Sequence, residues 1–141
     1  MPSNELFLEA AEAEIDLQLF KANVPANTTT ALLMSGGNTG IVVPPGYKFS
    51  PVAIWIQSTV AISAGTLQAV VTDNGNQVAY GPTAQLDTTH QSQIGVMRAD
   101  EYPIQAGDTV GVSVIANAAF APTTNGIDVF LMGYFMQNTT T

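Results

Sequence analysis

Residue types able to do chemistry are few in this chain, and their spacing limits them further. His90 is the single histidine, so one chain cannot build a multi-histidine metal site. It lies near Asp87 and Ser92, but a catalytic triad also needs a convergent nucleophile and oxyanion donors. Neighbours along one strand supply neither, and His90 reads as a polar edge-strand residue. Asp100 and Glu101 beside Arg98 form an acid pair without the second carboxylate cluster that glycoside hydrolysis requires; a solvated loop is the expectation. Asp73-Asn74-Gly75-Asn76 resembles half of a calcium loop but lacks the later ligands and the terminal glutamate, and a hairpin turn accounts for it. Asp108, after Gly107, is expected to hydrogen-bond its own turn. Gly36-Gly37 lacks the lysine and following helix of a phosphate loop. Trp55, Tyr47 and Tyr80 could form a platform for stacking on a sugar, whereas Ile54 and Ile56 beside the tryptophan argue for core or rim packing. No catalytic, metal-binding or cofactor-binding residue emerges, and a function without catalysis is expected.

Composition points the same way. The chain has 141 residues, enough for one domain that buries about two-thirds of its extended surface. It is 46% hydrophobic but only 10% charged, well under the usual ~25%. Solubility therefore rests on Thr, Ser, Asn and Gln, which suits a protein that is packed against others, because charges are costly to desolvate at interfaces. The net charge is −8, with Lys21, Lys48 and Arg98 as the cations, which disfavours nucleic acid as a partner. A basic protein surface would suit it better. There is no cysteine, hence no disulfide or thiolate chemistry. No basic region followed by an apolar core marks a secretory signal. No run approaches the roughly 18 apolar residues of a membrane span, so no membrane partner is expected. Without a signal, the sequons at Asn27 and Asn138 read as polar loop and tail.

The acidic residues are unevenly placed. Five of the eleven fall in the first sixteen positions: Glu5, Glu9, Glu12, Glu14 and Asp16. This divides the chain into an N-terminal arm, residues 1–16, and a neutral body, residues 17–141. Ser3 or Asn4 can cap a short helix over 4–14, with Glu5 in its first turn where the dipole favours it. Glu14 sits at the disfavoured end, and about three turns are marginal alone. The arm, helical or extended, must dock on the body or become ordered on a partner, with Leu6, Phe7 and Leu8 as its apolar anchors.

From Ile15 the hydrophobic period becomes two, as Ile15, Leu17 and Leu19 alternate with Asp16 and Gln18. Further strands are expected over 28–34, 41–43, 52–60, 66–73, 77–80, 90–98, 110–114 and 127–137. Turn chemistry separates them: Pro44-Pro45-Gly46, Ala64-Gly65, Gly81-Pro82 and Ala106-Gly107-Asp108. Asn74-Gly75 is the strongest hairpin signal, because both central residues of a type I′ turn need positive φ. Short strands at this spacing predict an all-β fold, an antiparallel β-sandwich with jelly-roll topology.

The last strand is apolar on both faces. Ile127, Val129, Leu131 and Phe135 form one side, and Phe130, Met132, Tyr134 and Met136 the other. A sandwich strand usually keeps one face wet. The second face must be covered, either by the arm, a loop or the N-terminal strand of the same chain, or by another subunit, where aromatic and Met residues are over-represented. Burying four such side chains is worth on the order of 6–10 kcal/mol before entropy costs.

The string Val42-Val43-Pro44-Pro45-Gly46, with Ile54-Trp55-Ile56 and Ile104-Gln105-Ala106-Gly107-Asp108-Thr109-Val110, resembles the small jelly-roll proteins of tailed-bacteriophage virions. In size and layout it is most similar to capsid decoration (cement) proteins. The resemblance implies a homo-oligomer, a trimer or similar. It also implies a place on the capsid exterior after synthesis in the host cytoplasm, with the major capsid protein as partner. The function expected from it is to bridge neighbouring capsid subunits and stabilise the shell. Fibre tips share such strand patterns; a receptor- or glycan-binding tip would need exposed aromatics in the end loops, for which Tyr47, Tyr80, Tyr102 and Phe120 are available.

Overall fold

In the computed structural model, residues 12–60, 62–85, 92–96, 103–121 and 126–137 are described. They form ten strands: β1 (Glu12–Ala22), β2 (Thr28–Ala31), β3 (Gly40–Val42), β4 (Tyr47–Ser58), β5 (Leu67–Asp73), β6 (Asn76–Ala84), β7 (Ser92–Val96), β8 (Ile104–Gln105), β9 (Thr109–Ala116) and β10 (Gly126–Gln137). Two sheets result. One runs β1-β10-β4-β7 with β8 also on β4; the other runs β2-β9-β5-β6 with β3 also on β9. Every pairing is antiparallel.

β3 prolongs the place of β2 along β9, and β8 prolongs that of β7 along β4, so the ten strands fill eight positions. The first position pairs with the last (β1 with β10), the second with the seventh (β2 with β9), the third with the sixth (β4 with β7) and the fourth with the fifth (β5 with β6). This is one long antiparallel ribbon, folded at the β5–β6 turn and rolled up: an eight-position jelly roll, as the turn spacing predicts. At its fold point Asn74 (φ 52) and Gly75 (φ 87) take the paired positive φ of a type I′ turn.

The core lies between the sheets. Leu17 and Leu19 of β1, Val129 and Leu131 of β10, and Ile54 and Ile56 of β4 face Leu67 and Val71 of β5 and Val112 and Val114 of β9. Phe49 is fully buried, with Phe135 edge-on at 5.9 Å between centroids. Ser58, also buried, donates to the Val60 carbonyl at 2.6 Å, so its burial leaves no orphaned hydroxyl.

Three expectations need correction. The helix over 4–14 fails where it can be seen: residues 12–14 belong to β1, a strand hydrogen-bonded along its length to β10. Residues 1–11, with Leu6, Phe7 and Leu8, lie outside the described residues. The second is Gly81-Pro82, which does not end its strand, since β6 continues to Ala84. Third, β4 starts at Tyr47, not at residue 52, and runs through Pro51. A β-bulge there shifts the β10 register between Met132 and Gly133. On the opposite side β7 pairs with 53–57 and β8 with 48–49, and no other described residue pairs with 50–52 there. A residue with no N–H is tolerated in a central strand at just such a bulge.

Candidate interaction face

The outward side of the β1-β10-β4 sheet is the most unusual surface of the molecule. Register builds it in rungs from residues on three strands. Gln18, Phe130 and Trp55 share one rung, Asp16, Met132 and Ala53 the next, and Glu14, Tyr134 and Ser50 the third. Met136 follows, opposite Lys48. At the other end stands Asp128, between Phe20 and Gln57, its carboxyl raised above the ordinary carboxylate range by burial. The alternation that puts Val129 and Leu131 in the core forces Phe130, Met132, Tyr134 and Met136 outward.

The predicted second face of the final strand is therefore real, and its four residues lie on one side of one sheet. All four are half-buried. For Phe130 a neighbour in the same sheet supplies part of the cover. Trp55 packs on Phe130 with ring centroids 5.9 Å apart at 52°, yet the tryptophan remains 43% exposed. Beside the pair, Glu14, Asp16, Ala53, Trp55, Phe130 and Met132 line a groove of ≈ 440 Å³. Trp55 belongs on this outer face, so of the core or rim packing expected for it the core place is wrong, while it does pack on Phe130 at the surface. Tyr47 and Tyr80 do not join it. Tyr47 lies eight residues along β4, about 27 Å away for an extended strand, against Phe135. Tyr80 sits on the other sheet, donating to Gln77 Oε1 at 2.8 Å.

Elsewhere the structure offers little chemistry. A larger depression of ≈ 580 Å³, beside the Phe20–Leu33 bridge that ties the two sheets together, has Lys21 as the one charged residue in its lining. Among the described residues no group of three or more His, Asp or Glu side chains could hold a metal. His90, Asp87, Asp100, Glu101 and Arg98 lie outside the described residues.

One acidic contact went unforeseen. Asp108 accepts a hydrogen bond from Asn74 Nδ2 at 3.0 Å, across to the β5–β6 turn, while Asn74 Oδ1 accepts from the Thr109 N–H at 2.8 Å. Asn74 thus braces a second loop as well as making its own turn. Asp73 stands beside this bridge with Oδ1 buried and no hydrogen-bond partner among the described residues. Burial, then hydrogen bonding to Asp108 and the charge of Asp108, push the Asp73 carboxyl up to about 6. The folded chain holds that proton more tightly than the unfolded chain does. The resulting stabilisation is complete below the ordinary value of 3.8 and is lost as pH rises through about 6. Thermal melts should show a midpoint that falls from pH 5 to pH 7, and Asp73→Asn should flatten that slope. An unchanged slope in the variant would place the titrating group elsewhere.

The sequence matches no protein-family model and no curated protein. Solved structures do resemble it. A chain of the cyanophage Pam1 capsid asymmetric unit aligns with a TM-score of 0.54 at 12% identity, over 89% of this chain and 86% of that one. A chain of the acidic stable capsid of Helicobacter pylori bacteriophage KHP30 aligns at 0.49 and 14% identity, over 90% and 94%. A chain of the disulfide-linked pili that form Bacillus endospore appendages aligns at 0.44 and 12% identity, over 90% of each chain. At 12% identity the first of these likenesses is one of fold: the chain is an antiparallel jelly-roll sandwich of the kind found in a phage capsid.

Proposed function

We propose that this chain is a virion structural protein that attaches to the outside of a phage capsid, bridges neighbouring capsid subunits and stabilises the shell without catalysis. The observation that carries the reading is the contiguous aromatic and methionine surface lying outside a core that is already filled. Leu17, Leu19, Ile54, Ile56, Val129 and Leu131 pack the interior without help from Phe130, Met132, Tyr134, Met136 or Trp55. A half-exposed strip of this kind contributes little to folding and suits an interface. The fold likeness to a chain of the Pam1 capsid unit supports the same setting. A homo-oligomer, a trimer by the resemblance stated above, presents several copies of the face at once and gains avidity on a lattice. Stabilisation then follows by mass action, because a ligand that binds only the assembled shell stabilises it. The arm, with Leu6, Phe7 and Leu8, engages a neighbouring subunit or the capsid.

The fibre-tip reading has less behind it. Of its four aromatics, Phe120 is buried, Tyr47 packs on Phe135, Tyr80 stands apart on the other sheet, and Tyr102 lies outside the described residues.

The test is to mix purified protein with undecorated shells of its own particle, then image them and heat them. Added density on the exterior and a higher disruption temperature are expected. No density with intact protein sinks the reading. Removing residues 1–11, a cut that spares β1, should leave the melting profile of the sandwich intact and abolish attachment. Unchanged attachment would remove the arm from the mechanism.

A further inference from the structure

The outer face carries information about what it binds, and the inference rests on the interface reading of that face. Its groove is asymmetric. The floor is apolar, made by Ala53, Phe130 and Met132 with the exposed ring of Trp55. One wall is the β1 edge, where Glu14 and Asp16 are exposed and point outward on adjacent rungs, about 7 Å apart by strand geometry. Among the described residues the cation on this face is Lys48, at the far end opposite Met136 and on the other side of β10.

A second copy of the chain is a poor occupant. It carries eleven acids against three cations and would bring the same acidic rim to the contact, where like charges face each other unfavourably. A sugar is less well served, since among the described residues the lining offers two carboxylates and the Trp55 indole N–H as its polar side-chain groups, fewer than a ring of hydroxyls needs. Aromatic faces beside paired carboxylates fit a different chemistry, that of a cation on an apolar stem. Lysine and arginine lay their methylenes on apolar surface while the charge reaches polar groups, and arginine also stacks on aromatic rings.

We propose that this groove receives a basic side chain, arginine or lysine, from an extended segment of a different protein, with its charge between Glu14 and Asp16 and its stem across Trp55 and Phe130. The complex would add an ionic, register-fixing contact to an otherwise apolar face. Among the described residues β1 is the outer strand of its sheet, bridged on its outer edge at Phe20, so such a segment can also lie along the edge beside Glu14 and Asp16.

Trp55 is the chain's one tryptophan, so its emission reports occupancy of the groove directly. The probe is a short synthetic peptide alternating leucine with arginine, compared with versions carrying glutamine or glutamate in place of arginine. The arginine peptide should shift Trp55 emission saturably and bind about tenfold or more tighter than the glutamine peptide; the glutamate peptide should not bind. The double variant Glu14→Gln, Asp16→Asn should lose that advantage while keeping its melting midpoint and its binding of the glutamine peptide. Equal affinity for the arginine and glutamine peptides overturns the proposal, as does the absence of any peptide-induced shift. Emission that depends on protein concentration, with a matching dimer in light scattering, overturns it in favour of a second copy. The double variant also separates this proposal from the reading beneath it. If it attaches to shells as tightly as the native chain does, the basic occupant is wrong while the interface stands; if the native chain itself fails to attach, the interface reading falls.

Discussion

Phe49→Ala should be the most damaging single truncation in the molecule, lowering stability by about 3–5 kcal/mol, a large share of the ~5–15 kcal/mol that a domain possesses. The ring is fully buried where β4, β8 and β10 meet and is held edge-on by Phe135. Across from it stands Gly133, on the core-facing side of β10, where any side chain atom would strike the Phe49 ring and the Ser50 carbonyl oxygen. Gly133→Ala alone should therefore cost about 1–3 kcal/mol by overpacking. The two changes are not independent. In the Phe49→Ala background the new methyl enters vacated space, so the double variant should be less destabilised than the two singles added together. Recovery is partial, because the Ser50 carbonyl stays in place. Urea unfolding with unchanged slope measures all three variants. Strict additivity would mean that Gly133 and Phe49 do not pack as the register places them.

Trp55→Ala should have the opposite profile, small for folding and large for assembly. Losing its contact with Phe130 should cost the isolated chain about 0.5–1.5 kcal/mol. An interfacial tryptophan commonly contributes ~2 kcal/mol or more to binding, which corresponds to attachment weakened by about 30-fold or more. Co-sedimentation with undecorated shells reads the loss, and a parallel melt shows that the fold survives. Attachment at native strength would remove this face from the contact.

Much of the fold was legible in the sequence, because jelly-roll strands announce themselves by alternation and punctuation. Asn74-Gly75 marked the bend of the ribbon, and Ile15, Leu17 and Leu19 marked β1 correctly as a strand. The doubled apolar pattern of the final strand identified four residues that the structure places on one outward face. Other features were not legible for physical reasons. Glu12 and Glu14 have helix-compatible propensity, but pairing with β10 outweighs propensity at a strand end. Pro51 looks like a strand breaker until the bulge opposite Gly133 is seen. Trp55 beside two isoleucines looks internal, yet the alternation that sends Ile54 and Ile56 inward necessarily sends Trp55 out. The Asn74–Asp108 bridge joins residues 34 positions apart and leaves no local trace. The acidic wall of the groove was visible as a run of acids in the leader. Its alignment with Met132 and Tyr134 appears only once β1 and β10 are in register.

The ladder between β1 and β10 joins the first and last of the described strands, far apart in sequence, and this bears on the order of folding. The β5–β6 hairpin closes over a two-residue turn and can form early. β1 gains its ladder only once β10 has been made; until then the pairing open to it among the described residues is the Phe20–Leu33 bridge. Closing so long a loop is entropically late, and folds dominated by such distant pairings reach the native state slowly, in milliseconds to seconds. In that interval the edge of β4 that β10 will cover and the apolar inner side of β1 are open to the wrong neighbours. The outward acids Glu14 and Asp16 then serve a second purpose: charge on a waiting strand discourages it from pairing with another copy of itself.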